Sequence, residues 1–85
     1  MAVVLLPAVL AAEAGGQKRF ELAASTVGEA LHQLPVANLL FDEAGELRPL
    51  VNVYVGGIDA REHGGLAATL ADGDQVTIVG AVAGG

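Results

Sequence analysis

The chain has 85 residues, the size of one small domain, and 53% are hydrophobic against 16% charged, which excludes an intrinsically disordered chain. Ten acidic residues against four basic ones give a net charge of −6, which would repel a phosphate backbone, so we expect no nucleic-acid partner. The absence of cysteine excludes a disulfide framework, a thiolate nucleophile and a cysteine-ligated zinc site, and suits a cytoplasmic protein.

The first predicted element is a buried strand at residues 3–6, an uninterrupted apolar run that ends at Pro7. The wider apolar segment, 1–12, resembles the apolar region of a secretory signal, but no basic residue precedes it and it is too short to span a bilayer. We therefore interpret it as a core strand followed by a short turn, with a signal peptide as the alternative, and expect no membrane partner. Residues 17–22 alternate in hydrophobicity and predict a second strand, which forms a hairpin with the first.

A capping box predicts where the main helix begins. Thr26 can cap the first turn with its hydroxyl, while Glu29, three residues further on, can reach back to the helix start. The apolar stripe that follows has helical spacing and consists of Val27, Ala30, Leu31 and Leu34. Pro35 ends this helix, and residues 36–41 are expected to add another turn or two.

The second half of the chain predicts short strands separated by glycine turns. Residues 50–55 are β-branched and alternate in hydrophobicity, and residues 58–63 are expected to form a short edge strand and a loop. A short helical turn at 66–70 and a tight turn at 72–74 then lead into the last strand, at 75–79.

This order of elements predicts an α+β fold, in which a mixed sheet packs on one main helix: the ubiquitin-like β-grasp. The first and last strands should be neighbours at the centre of the sheet. We expect residues 1–79 to form the domain and residues 80–85 to form a flexible C-terminal tail. His32 and His63 lack the spacing of metal ligands, so we predict neither a metal site nor a catalytic residue.

The tail consists of small residues and ends in a Gly-Gly pair. Its residues are Gly80, Ala81, Val82, Ala83, Gly84 and Gly85. A free carboxylate is a poor acyl donor, but a mixed anhydride with AMP makes it electrophilic towards a sulfur nucleophile. Two terminal residues without Cβ atoms leave the carbonyl carbon open to that attack. Six extended residues reach roughly 20 Å, enough to enter the active-site channel of another enzyme. The predicted working group is therefore the carboxylate of Gly85.

Several stretches resemble the ubiquitin-like small sulfur-carrier family that includes MoaD and ThiS, and within it the CysO type of thiocarboxylate-dependent cysteine biosynthesis. The similar stretches cover most of the chain, at residues 6–18, 51–55, 64–67, 70–74, 76–78 and 81–85. Two features depart from the family pattern. Gly80 stands where relatives often carry proline, and the segment 35–48 looks shorter than in many relatives.

The resemblance implies a cycle in which an E1-like adenylyltransferase and sulfurtransferase uses ATP to adenylate Gly85 and converts it to a thiocarboxylate. The carrier would then donate sulfur to a biosynthetic enzyme, such as a pyridoxal-phosphate-dependent cysteine synthase, and act as a co-substrate without a bound cofactor. A metalloprotease that processes the tail is a further implied partner. By analogy with the family, docking would use an apolar patch on the free sheet face near the tail, where alternation places Leu6, Tyr54 and Val79 as candidates.

Other functions fit the same tail. Activated Gly85 could form an isopeptide with a lysine, as in a ubiquitin-like protein modifier. The chain could also be the small subunit of a molybdopterin-synthase-type complex, or a binding module whose tail is idle. The sulfur carrier and the modifier share the same activated tail, so the sequence does not separate them, and the other two functions also stay open.

Overall fold

The structure is a computed structural model that describes residues 1–80; the predicted tail beyond Gly80, including Gly85, lies outside the described residues. The strands are β1 (Ala2–Leu5), β2 (Arg19–Leu22), β3 (Val51–Val55), β4 (Ile58–Asp59) and β5 (Gln75–Gly80). The helices are α1 (Ala8–Glu13), α2 (Val27–His32) and α3 (Ala37–Leu40), with 3-10 turns at Ala60–His63 and Gly65–Ala67.

The strands form one mixed sheet in the order β2-β1-β5-β3-β4. The first and last strands, β1 and β5, run parallel at its centre, with Val4 opposite Val76. The outer pairs, β1 with β2 and β5 with β3, are antiparallel. The central strands are rich in β-branched residues, which suit a position with a neighbour on each side. This topology confirms the predicted α+β fold and the central pairing of the first and last strands.

The hydrophobic core lies between one face of the sheet and the helices. We call this face the inner face and the opposite face the outer face. On the inner face, Val4, Val76 and Ile78 are buried, as alternation predicts for β5. The predicted apolar stripe of the main helix is buried against them, and Leu31 is completely covered. Each fully buried side chain of this size stabilises the fold by about 1.5–3 kcal/mol.

The start of α2 has the predicted capping box, except that the Glu29 carboxylate bonds to the residue before the cap. The backbone N–H of Glu29 donates to the hydroxyl of Thr26 at 3.2 Å. The Glu29 carboxylate accepts from the backbone N–H of Ser25 at 2.9 Å, one residue before the cap. Gly28 also has a packing role, because a Cβ atom there would lie 3.1 Å from the carbonyl oxygen of Leu66. The glycine therefore allows α2 to approach the 3-10 turn closely.

The segment after β1 is helical, whereas the sequence predicted only a short turn. Pro7 has φ −69° and stands at the N-cap of α1, and the alanine-rich residues that follow have high helix propensity. The helix ends where Gly15 and Gly16 adopt positive φ angles, with the Gly16 N–H bonded to the carbonyl of Ala11 at 2.7 Å. Ala11 is buried, so this helix covers part of the core. Within residues 1–80, no helix is long and apolar enough to cross a membrane.

Candidate functional site at the end of the last strand

The predicted tail starts at a well-defined place, the end of the central strand β5. There β1 pairs with β5 only as far as Leu5, opposite Thr77, whereas β3 stays paired up to Gly80, opposite Val51. The end of β5 therefore extends past β1 to the border of the sheet. A Cβ atom on Gly80 would meet nothing within 4 Å, and Gly80 is not among the positive-φ glycines. Neither space nor a left-handed backbone requires glycine at this position.

Two of the three predicted docking residues lie on the outer face of the sheet near this strand end. Val79 is 45% exposed and pairs with Asn52 on β3. Tyr54 is half-buried and pairs with Thr77, so it lies diagonally across from Val79 on the same face. Diagonal neighbours on adjacent strands are within contact range for an aromatic side chain. The two residues therefore form an exposed patch beside the start of the tail.

The third predicted docking residue, Leu6, is not on this patch. Its side chain is only 6% exposed and belongs to the hydrophobic core. The reason is the alternation along β1, in which Ala2 and Val4 point inward and Leu6 shares their side. The residue of β1 that points to the outer face beside Thr77 is Leu5, which is half-buried. We therefore define the outer patch as Leu5, Tyr54 and Val79.

A polar cluster that the sequence reading missed borders the outer patch. The Arg61 guanidinium donates to both carboxylate oxygens of Asp59, at 3.1 Å from Nε and 2.7 Å from Nη2. Nη2 also donates to the side-chain oxygen of Asn52 at 3.3 Å, which connects the 3-10 turn to β3 next to Val79. The Asp59-x-Arg61 spacing at a helix start was visible in the sequence, but the link to Asn52 depends on strand register.

Charge in this cluster is held in place by hydrogen bonds. The Arg61 side chain, followed by its backbone N–H, stabilises the carboxylate and lowers the pKa of Asp59 below its usual value. Conversely, hydrogen bonding to Asp59 raises the pKa of Arg61. Arg61 is 73% exposed, so it presents an oriented cation beside an apolar patch on an otherwise acidic protein.

The two histidines belong to different elements, His32 to α2 and His63 to a 3-10 turn. His32 stacks on Phe41 with ring centroids 4.1 Å apart, and His63 ends the 3-10 turn at Ala60–His63. In the described part of the chain, no group of three or more His, Asp or Glu could hold a metal ion. Among residues 1–80, no polar or charged side chain is buried in the core. The candidate site in residues 1–80 is therefore the exposed outer patch together with the end of β5, where the tail begins.

A mixed sheet on one main helix, with a central last strand that ends beside an exposed apolar patch, defines the ubiquitin-like β-grasp class. The family model of the ThiS family matches residues 4–85, and the chain therefore belongs to the ThiS family. The sulfur carrier protein CysO of Mycobacterium tuberculosis is 40% identical over 89 residues, which cover 96% of both chains. These findings confirm the resemblance to the small sulfur carriers.

Solved structures agree with this assignment. The crystal structure of Mycobacterium tuberculosis CysO matches with a TM-score of 0.86 and 37% identity, covering 96% of this chain and 100% of that one. A match in the BexX/CysO complex of Amycolatopsis orientalis has a TM-score of 0.84 and 35% identity, with both chains fully covered. SAMP1 from Haloferax volcanii matches with a TM-score of 0.76 and 32% identity, covering 99% and 98%.

Proposed function

We propose that this chain is a sulfur carrier for the biosynthesis of cysteine or another sulfur-containing metabolite, with the Gly85 carboxylate as the group that carries sulfur. The observation that carries the proposal is the placement of Gly80 at the free end of a central strand, followed by five small residues that end in Gly-Gly. Membership of the ThiS family and the similarity to CysO support the same function.

The chemistry at Gly85 consists of adenylation, sulfur loading, transfer to the acceptor and hydrolysis. The carboxylate oxygen attacks the α-phosphorus of ATP, releasing pyrophosphate and forming an acyl adenylate. Hydrosulfide then attacks the carbonyl carbon and AMP leaves, which gives the thiocarboxylate. Its sulfur forms a bond to an electrophilic carbon of the acceptor, either by addition across an activated double bond whose other carbon takes up a proton or with loss of a leaving group from that carbon. Water then cleaves the acyl–sulfur bond, which leaves the sulfur on the acceptor and returns the free carboxylate. The absence of a Cβ atom on the last two residues keeps the carbonyl carbon open to hydrosulfide during loading and to water during the final hydrolysis.

The folded body positions this group for other enzymes and does no chemistry itself. An E1-like adenylyltransferase and sulfurtransferase binds the ATP, so the chain acts as a co-substrate in the cytoplasm and holds no cofactor. The acceptor is a biosynthetic enzyme, such as a pyridoxal-phosphate-dependent cysteine synthase, and a metalloprotease can renew the tail. Leu5, Tyr54 and Val79 supply an apolar contact for these partners, and Arg61 can bind a partner carboxylate beside it.

Intact-protein mass spectrometry tests the proposal. The purified chain is incubated with the activating enzyme, ATP and a sulfide source, and we expect a mass increase equal to replacement of one oxygen by sulfur. A chain without Gly85 should gain no sulfur, whereas Ala44→Ser on an exposed loop should load normally. Full loading of the chain without Gly85, or loading without ATP, would refute the proposed function.

The ubiquitin-like modifier is the second candidate, and one comparison favours it. A small archaeal modifier protein, SAMP1 of Methanosarcina acetivorans, matches with a TM-score of 0.79 and 29% identity. In that function a lysine amine would replace the sulfur nucleophile and form an isopeptide with Gly85. Slower-migrating adducts in cell lysate that require Gly85, without any thiocarboxylate, would favour the modifier over the carrier.

A further inference from the structure

An apolar groove of about 420 Å³ lies on the helical side of the molecule, next to the end of β5. Its apolar lining comes from α1, α3 and the turn that precedes β3, and includes Val9, Leu39, Pro49 and Leu50. Gly80 is also part of the lining, so the tail begins at the groove itself. This surface is separate from the outer patch, which lies on the other face of the sheet.

The groove concentrates exposed apolar surface. Of the large hydrophobic residues exposed within residues 1–80, Val9 at 52%, Leu39 at 38% and Leu50 at 47% all line it. Single exposed apolar residues are ordinary, but three that share one concavity mark a site that another apolar group can cover. Glu13 and Arg48, its charged lining residues, carry opposite charges, so the groove has no net charge to oppose an uncharged occupant.

The geometry points to an occupant from the same chain. Val76 and Ile78 point inward on β5, and Gly80 follows with the same parity. In an extended chain the next residue on that side is Val82, while Ala81 and Ala83 fall on the other side. Five residues beyond Gly80 span up to about 17 Å, so position 82 reaches the groove easily. We propose that the groove receives the side chain of Val82 and thereby holds the tail against the body.

This contact depends on side-chain burial and not on a longer sheet. The residues before β3 form a turn, closed by the N–H of Val51 and the carbonyl of Arg48 at 3.0 Å, and Pro49 has no N–H to donate. Half-burial of one valine by itself favours the seated state roughly fivefold, and the entropy cost of ordering the tail offsets part of this gain, so a partner displaces the seated tail at little cost. If the proposed function holds, seating lowers the availability of Gly85 to the activating enzyme by at most roughly fivefold.

Methyl-resolved NMR of the full chain tests the inference without any partner. We expect the methyl signals of Val9, Leu39 and Leu50 to shift when residues 81–85 are removed. The matched variant exchanges two tail residues, Ala81→Val with Val82→Ala, which keeps the composition but moves the valine to the other side. Its groove signals should resemble those of the truncated chain, whereas Val82→Ile should keep the full-length shifts.

Three results would overturn the inference. Groove signals that ignore truncation would mean that the tail does not occupy the site, and a double variant that behaves like the full chain would remove the role of Val82. Shifts that depend on protein concentration would assign the groove to a second copy. As a further check, Leu39→Ser should abolish the truncation-dependent shifts. Ile58→Ser, at an exposed residue that does not line the groove, should preserve them. If the groove shifts are observed but Gly85 gains no sulfur, the proposed function is refuted and the groove inference still holds.

Discussion

Replacing Leu6 with alanine tests whether this side chain supports the core or the docking surface. Leu6 is 6% exposed and packs in the core, so the substitution removes buried methyl groups and leaves a cavity. Such changes cost about 2–5 kcal/mol. A domain of 85 residues has a total stability of about 4–13 kcal/mol, so the loss should be a large fraction of the whole.

Urea unfolding followed by circular dichroism measures this loss as a lower midpoint with an unchanged slope. Leu5→Ala is the matched control, because the neighbouring leucine is half-buried on the outer face. It should cost less than Leu6→Ala and instead weaken binding to the activating enzyme. A Leu6→Ala protein that keeps its unfolding midpoint but binds the partner poorly would return Leu6 to the docking surface and refute the assignment of faces.

Three further changes test other parts of the structure. Thr26→Ala removes the helix cap and should cost about 1 kcal/mol in urea unfolding, whereas Ser25→Ala, whose backbone N–H keeps its bond to the Glu29 carboxylate, should cost less. Asp59→Asn should be less stable than the natural chain, and the difference should be largest above the unfolded pKa of aspartate, near 4. Unfolding curves at a series of pH values should show this difference shrink as pH falls through the lowered pKa of Asp59 in the folded state. Val79→Ser should leave the unfolding midpoint nearly unchanged but weaken binding to the activating enzyme severalfold in titration calorimetry; equal weakening by Ile58→Ser would contradict a localised patch.

Local signals were sufficient for most of the fold. The capping box at Thr26, the helical stripe of α2 and the alternation of β5 each predicted an element that the structure contains. The central pairing of β1 with β5 followed from the order of elements and the apolar character of the first strand. These features depend on residues close together in sequence, where periodicity and capping chemistry act directly.

The errors came where one residue of register, or a distant contact, decides the outcome. Shifting the frame of a strand by one residue exchanges its two faces, and for this reason the prediction that Leu6 lies on the outer face is wrong. Helix α1 has only six residues and depends on packing of Ala11, which its sequence does not display. Likewise, the bond from Arg61 to Asn52 joins residues nine apart that only the β3–β4 pairing brings together.

The short reach of the tail limits where a partner can hold the body during the proposed chemistry. From Gly80, five residues extend about 17 Å at most, so the nucleotide site of an activating enzyme must lie within that distance of the end of β5. The opposite end of the strand, at Gln75, is already about 17 Å from Gly80 in the other direction. The turn at residues 72–74 therefore lies too far back to frame the entrance to such a site. The outer patch and the Arg61 cluster flank the correct end, because Val79 and Asn52 pair one residue before Gly80.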